Sequence, residues 1–167
     1  MFNKFRIGAA GVALIAAFGM ASSASAANPE TADATAEILA ALDITWDTSP
    51  LDFGTIAVNA AGTAVVSNGG VLSCTPTNLI CTGGSAAGFT ITGGANQTVD
   101  VTVPGSITLN GPGASTLTVT TSNSLGVTPT LSGLGSLTFA VGGSMPVAAA
   151  QAAGTYSNTF DVEAAYN

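Results

Sequence analysis

The chain has 167 residues, nine carboxylate side chains, two basic side chains and no His, for a formal net charge of −7. Both basic residues, Lys4 and Arg6, lie at the N-terminus, so the rest of the chain has no side-chain cation to grip phosphate. That excludes nucleic acid and anionic membrane as expected partners. It also removes the usual neutral-pH bases and oxyanion stabilisers, so no enzyme is expected.

Residues 1–26 read as a cleaved secretory signal. Lys4 and Arg6 charge its start, Ile7 to Met20 form the apolar run, and Ala24-Ser25-Ala26 is an A-x-A site. The run is too short to span a bilayer; an uncleaved N-terminal helix is the alternative. The chain is therefore expected to pass the inner membrane into the periplasm, and then to reach the cell surface or be secreted. Cys74 and Cys81 are the only cysteines. Export predicts that they form a disulfide, contributing roughly 2–3 kcal/mol through closure of a short loop. Two thiols without His make a weak metal site, and no cofactor is expected. An EF-hand pattern for calcium is absent.

Residues 27–48 read as an N-terminal extension and first strand, and residues 49–167 as one β-domain. From Ala32 to Trp46 the even positions are apolar (Ala34, Ala36, Ile38, Ala40, Leu42, Ile44), while Asp33, Thr35, Glu37, Asp43 and Thr45 are polar. A period of two predicts extended chain, with a helix over 32–42 as the competing reading. At ~3.3 Å per residue the segment is too long for one strand of a small domain. It fits two consecutive strands, or one strand preceded by an extension that pairs elsewhere. In Ser49-Pro50-Leu51-Asp52-Phe53-Gly54, Pro50 predicts a bend, Leu51 and Phe53 face one way, and Gly54 suggests a bulge.

Further on, residues 63–67 and 71–74 read as a hairpin around Asn68-Gly69-Gly70. Residues 88–92 and 98–103 read as a second hairpin, and 106–109 and 116–121 as a third. Residues 137–141 form another strand, after which Gly142-Gly143 is read as a turn toward 145–148. Eight or nine short strands separated by Gly-, Asn- and Pro-containing turns predict an all-β, immunoglobulin-like β-sandwich. At 47% apolar residues the chain is too hydrophobic for disorder.

The last stretch, residues 154–167, has the clearest pattern. Tyr156, Phe160, Val162, Ala164 and Tyr166 share one parity, while Thr155, Ser157, Thr159, Asp161 and Glu163 share the other. Asn158 and Ala165 depart from it. This predicts a terminal strand with one buried face.

Five segments together carry a family resemblance: Leu51 to Ile56, Phe89 to Gly93, Thr98 to Pro104, Phe139 to Gly143, and Ala153 to Tyr166, in which Gly154 and Tyr166 are the sharpest pair. They resemble an exported proteobacterial domain family of unassigned function, similar to the spore-coat-U-like pilins of the archaic chaperone–usher class. The resemblance implies an incomplete sandwich, completed by donor-strand exchange within a surface filament, or fimbrium. Gly154, Tyr156, Phe160, Val162 and Tyr166 would form the groove wall and the chaperone-pairing strand. Ala34, Ala36, Ile38, Ala40 and Leu42 would be the donor residues. The implied partners are copies of the chain or related subunits, a periplasmic chaperone and an outer-membrane usher, and the implied process is cell adhesion. The alternative is a self-contained secreted or outer-surface sandwich, structural or carbohydrate-binding. The latter would use Trp46, Tyr156 or Tyr166, although these aromatics are expected in the core.

Because no Lys or Arg follows Arg6, trypsin is expected to leave residues 27–167 intact. Mass spectrometry of a prolonged digest checks this; a tryptic peptide arising within that region would contradict the reading.

Overall fold

The computed structural model describes residues 29–167. The signal assigned to residues 1–26 lies outside the described residues. The chain divides into two units, Met1–Ala36 and Glu37–Asn167. The described part of the first, residues 29–36, is exposed and has no regular secondary structure.

The second unit is an all-β, sandwich-like fold of eleven strands with curled antiparallel sheets. β1 (Asp43–Trp46) pairs β6 (Ala87–Thr92), and β6 pairs the first half of β10 (Ser136–Val147). The second half of β10 pairs β3 (Gly62–Val66), which pairs β4 (Leu72–Thr75). β9 (Thr116–Asn123) joins the middle of β10 and carries β8 (Ser106–Asn110). Two small sheets complete the fold: β7 (Val99–Thr102) with β11 (Glu163–Tyr166), and β2 (Thr55–Val58) with β5 (Leu79–Thr82). A single 3-10 turn, Pro112–Ala114, lies between β8 and β9.

The alternating patterns explain the layers. Phe89 and Ile91 of β6, with Phe139 and Val141 of β10, face Val99 and Val101 of β7, Leu131, and Ala164 and Tyr166 of β11. A second cluster joins Phe53, Val66, Leu79, Ile107, Val119, Met145 and Val147. Burying each large aliphatic contributes roughly 1.5–3 kcal/mol. Leu51 and Phe53 both point inward, as their spacing predicts.

Several expectations need correction. Residues 88–92 and 98–103 do form strands, but not a hairpin: β6 pairs β1 and β10, whereas β7 pairs β11. Their apolar faces meet across the core, so the turn between them crosses from one layer to the other. Gly142 and Gly143 do not turn the chain; β10 runs through both for twelve residues. They mark close approach instead. A Cβ on Gly142 would lie 2.4 Å from the Val66 carbonyl oxygen, and one on Gly143 would lie 2.7 Å from Val119 Cγ1. Gly54 has φ +62°, and a Cβ there would lie 2.1 Å from the Thr82 carbonyl oxygen. Its role is therefore a tight left-handed step against β5. β5 is not evident from the sequence, because its four residues, Leu79–Thr82, are too few to show a period. Ahead of β1, neither a strand nor a helix forms over residues 29–42.

Replacing Gly142 by Ala should lower unfolding free energy by about 1–3 kcal/mol. Gly126→Ala, at a site with nothing within 4 Å, should stay within about 0.5 kcal/mol of the native chain. Denaturant unfolding of the pair is the check; equal stabilities would contradict the close-approach account.

Candidate functional site

The C-terminal segment keeps its expected parity from end to end. Tyr156, Phe160, Val162, Ala164 and Tyr166 are half-buried, while Thr155, Ser157, Thr159, Asp161 and Glu163 are exposed. It is not one continuous ladder. Gly154 (φ +150°) lies against the Pro112 ring, where a Cβ would approach to 2.8 Å. The Tyr156 ring covers Gly111; its hydroxyl donates to the Ala152 carbonyl (2.8 Å) and accepts from Gln151 Nε2 (2.7 Å). Ser157 forms an isolated bridge with Asn110 at the end of β8. Only at residues 163–166 does the ladder with β7 begin.

Between these anchors, residues 158–162 make no backbone–backbone hydrogen bond with any described residue. Asn158 explains its own departure from the parity. Its Nδ2 donates to the Thr108 carbonyl (2.8 Å) and its Oδ1 accepts from the Thr159 amide (2.9 Å), so a side chain substitutes for ladder bonds. Phe160 then packs against both core clusters and meets Phe89 edge-on at 6.2 Å.

Beside this segment lies a cleft of about 400 Å³, lined by Trp46, Pro50, Leu51, Ala87, Phe89, Asn158, Thr159 and Phe160. One rim carries Trp46, the last residue of β1, which is the end strand of its sheet and pairs only with β6 among the described residues. The other rim is the unpaired stretch 158–160. The cleft is largely apolar, and its rims are the end of an edge strand and a segment outside any strand ladder.

Trp46 corrects an expectation. It is 54% exposed, on the cleft rim rather than in the core, with Nε1 donating to the Ser49 carbonyl (2.8 Å). β1 ends there, with Thr48 at φ +67°, and the chain leaves the sheet. Composition does not distinguish an edge strand from a central one.

The other sequence-singled residues are dispersed. Cys74 and Cys81 form the expected disulfide, Cα–Cα 6.2 Å, tying β4 to β5. Ala34 and Ala36 are exposed. Ile38 is 94% exposed and Leu39 37%. Ala40 is exposed, but its carbonyl accepts from the Tyr166 hydroxyl (2.7 Å). Leu42 is half-buried against the core cluster of its own domain. The same Tyr166 hydroxyl accepts from the Gly94 amide (2.6 Å). Among the described residues, no three of His, Cys, Asp and Glu converge on a metal-sized site.

Residues 42–166 match the model of one protein family, described as "Domain of unknown function (DUF4402)". No curated protein and no solved structure matches the chain.

Phe160 joins the two core clusters, so Phe160→Ala should destabilise by about 2–3 kcal/mol, below the full cost for a wholly buried Phe. Thr159→Ala, on the exposed parity, should change stability by less than about 0.5 kcal/mol. Thermal and denaturant unfolding check this; equal effects would mean that the segment is not packed as described.

Proposed function

The chain belongs to the DUF4402 family, and from that premise we propose that it is a structural, non-enzymatic subunit of a surface filament, assembled by donor-strand complementation. It is exported, held by a periplasmic chaperone, passed to an outer-membrane usher, and polymerised on the cell surface. The similarity of its motifs to the spore-coat-U-like pilins supports this reading. The observation that carries it is the apolar cleft beside residues 158–162, where the terminal segment leaves its backbone unpaired. In this reading the domain is an immunoglobulin-like sandwich missing one strand.

The missing strand comes from the extension of a neighbouring copy. Residues 30–42 have the alternation such a strand needs and occupy no strand of their own domain. Entry of Ile38 into an apolar slot would contribute roughly 1.5–3 kcal/mol, with less from each Ala, against the cost of ordering the arm. Each copy gives one arm and accepts another, so the contact is head-to-tail and extends into a fibre rather than closing. The exposed Trp46 indole favours a second reading, a carbohydrate-binding surface. Tyr156 and Tyr166 point inward, however, and leave Trp46 without a coplanar partner.

The test uses residues 27–167 and a version beginning at Leu42. The longer chain is expected to polymerise. The shorter one should remain monomeric and gain several degrees in Tm when a peptide of residues 30–42 is added, since a ligand bound at 100 Kd stabilises by about 2.7 kcal/mol. Trp46, the single Trp, should shift its emission to the blue as the peptide covers it. A stable monomer from the longer chain, with no peptide effect on the shorter one, would overturn the proposal.

A further inference from the structure

The contacts of the N-terminal extension gather at its root, over residues 37–42. Upstream of Leu39 every described residue is exposed, and Glu37 Oε1 accepts a hydrogen bond from Gln97 Nε2 at 3.5 Å. At Ala40 the situation changes. The Tyr166 phenol donates to the Ala40 carbonyl and accepts from the Gly94 amide, joining the extension, the β6–β7 turn and the terminal strand through one oxygen.

The surroundings are shaped for this contact. A Cβ on Gly93 would lie 2.4 Å from the phenol oxygen and 2.8 Å from Leu42 Cδ1, so the turn can carry no side chain there. A Cβ on Gly135 would lie 2.2 Å from the Gly93 carbonyl oxygen, so a second glycine keeps that turn in place. Leu39 Cδ2 lies over Gly94, and Leu42 packs on the core. Tyr166 itself is fixed by the β11–β7 ladder and by the Asn167 amide on the Thr98 carbonyl (3.2 Å).

We propose that the Tyr166 hydroxyl is a latch that fastens the root of the N-terminal extension to its own domain, so that the arm free to leave the domain ends at Leu39. The consequence for assembly rests on the filament reading. With the latch closed, Ala40 and Leu42 stay at home and the arm offers Ala34, Ala36 and Ile38 as its inward-facing residues. Opening the latch adds two further positions. The latch would thus set the register in which the arm engages a neighbour.

The test is read on the unassembled chain, so its outcome is independent of whether filaments form. Residues 27–167 carrying Ala36→Asp are used, because the added carboxylate keeps the arm out of any apolar slot. Elastase, which cuts after small residues, should cleave within residues 32–37 about tenfold faster than within 39–42, since local opening must precede cleavage of a held segment. Adding Tyr166→Phe should erase that difference and speed hydrogen exchange of the Gly94 amide. Tyr156→Phe, whose hydroxyl serves Ala152 and Gln151, should preserve it. Should Tyr166→Phe prevent folding, the comparison of the two stretches in the parent chain decides alone. Equal cleavage of the two stretches in that chain, or a difference that survives Tyr166→Phe, would overturn the latch. So would its loss with Tyr156→Phe.

Discussion

Peptide groups packed at the rim of a core must find hydrogen-bond partners, because a buried N–H or C=O left alone costs about 1–3 kcal/mol. Residues 158–162 meet that demand only in part. Ser157 and the 163–166 ladder fix the segment at its two ends, Asn158 supplies side-chain bonds on the β8 side, and Asn158, Thr159 and Phe160 line an apolar cleft. The half-buried side chains of Phe160 and Val162 anchor the segment to the core, while Asn158, Thr159 and Asp161 are exposed. The segment is thus held extended by its side chains and left unpaired by its neighbours. The exposed indole on the opposite rim and the unoccupied extension both become intelligible from that one condition.

The scaffold around the cleft is rigid for identifiable reasons. β10 spans both halves of the domain, with β6 beside its first half, β3 beside its second and β9 at its centre. Gly142 and Gly143 lie where β3 and β9 press close, and a side chain at either would push against a strand paired to β10. Phe160 connects the two apolar clusters that this spine separates. The disulfide ties β4 to β5, elements that do not line the cleft. It secures the body of the domain without bracing the opening.

What could be read from the sequence followed directly from periodicity. The parity of residues 154–167 was legible to the last residue, because a period of two depends only on which side chains meet the core. The hairpins 62–75 and 106–123 were legible because turn-forming residues sit between β-prone runs. Pairing partners were less accessible. Nothing in the composition of 88–103 tells a hairpin from a crossing between layers, since both need two apolar strands and a turn. Glycine was ambiguous in the same way: Gly142-Gly143 has the composition of a turn, but its cause is the proximity of Val66 and Val119, residues distant in sequence. For the cleft, Phe160 was anticipated on the buried face, while Trp46 was misplaced because edge position is a property of the sheet. The Tyr166 contact to Ala40 spans 126 positions along the chain, beyond any local signal.

Hydrogen exchange at the backbone amides of residues 160–162 tests the central claim most directly. In the chain beginning at Leu42 these amides should exchange nearly as fast as in an open segment. They should slow by about a hundredfold or more once residues 30–42 are supplied in trans, since ladder pairing ties exchange to larger-scale opening. Strong protection of the same amides before any strand is added would mean that the sandwich is already complete, and would contradict the account.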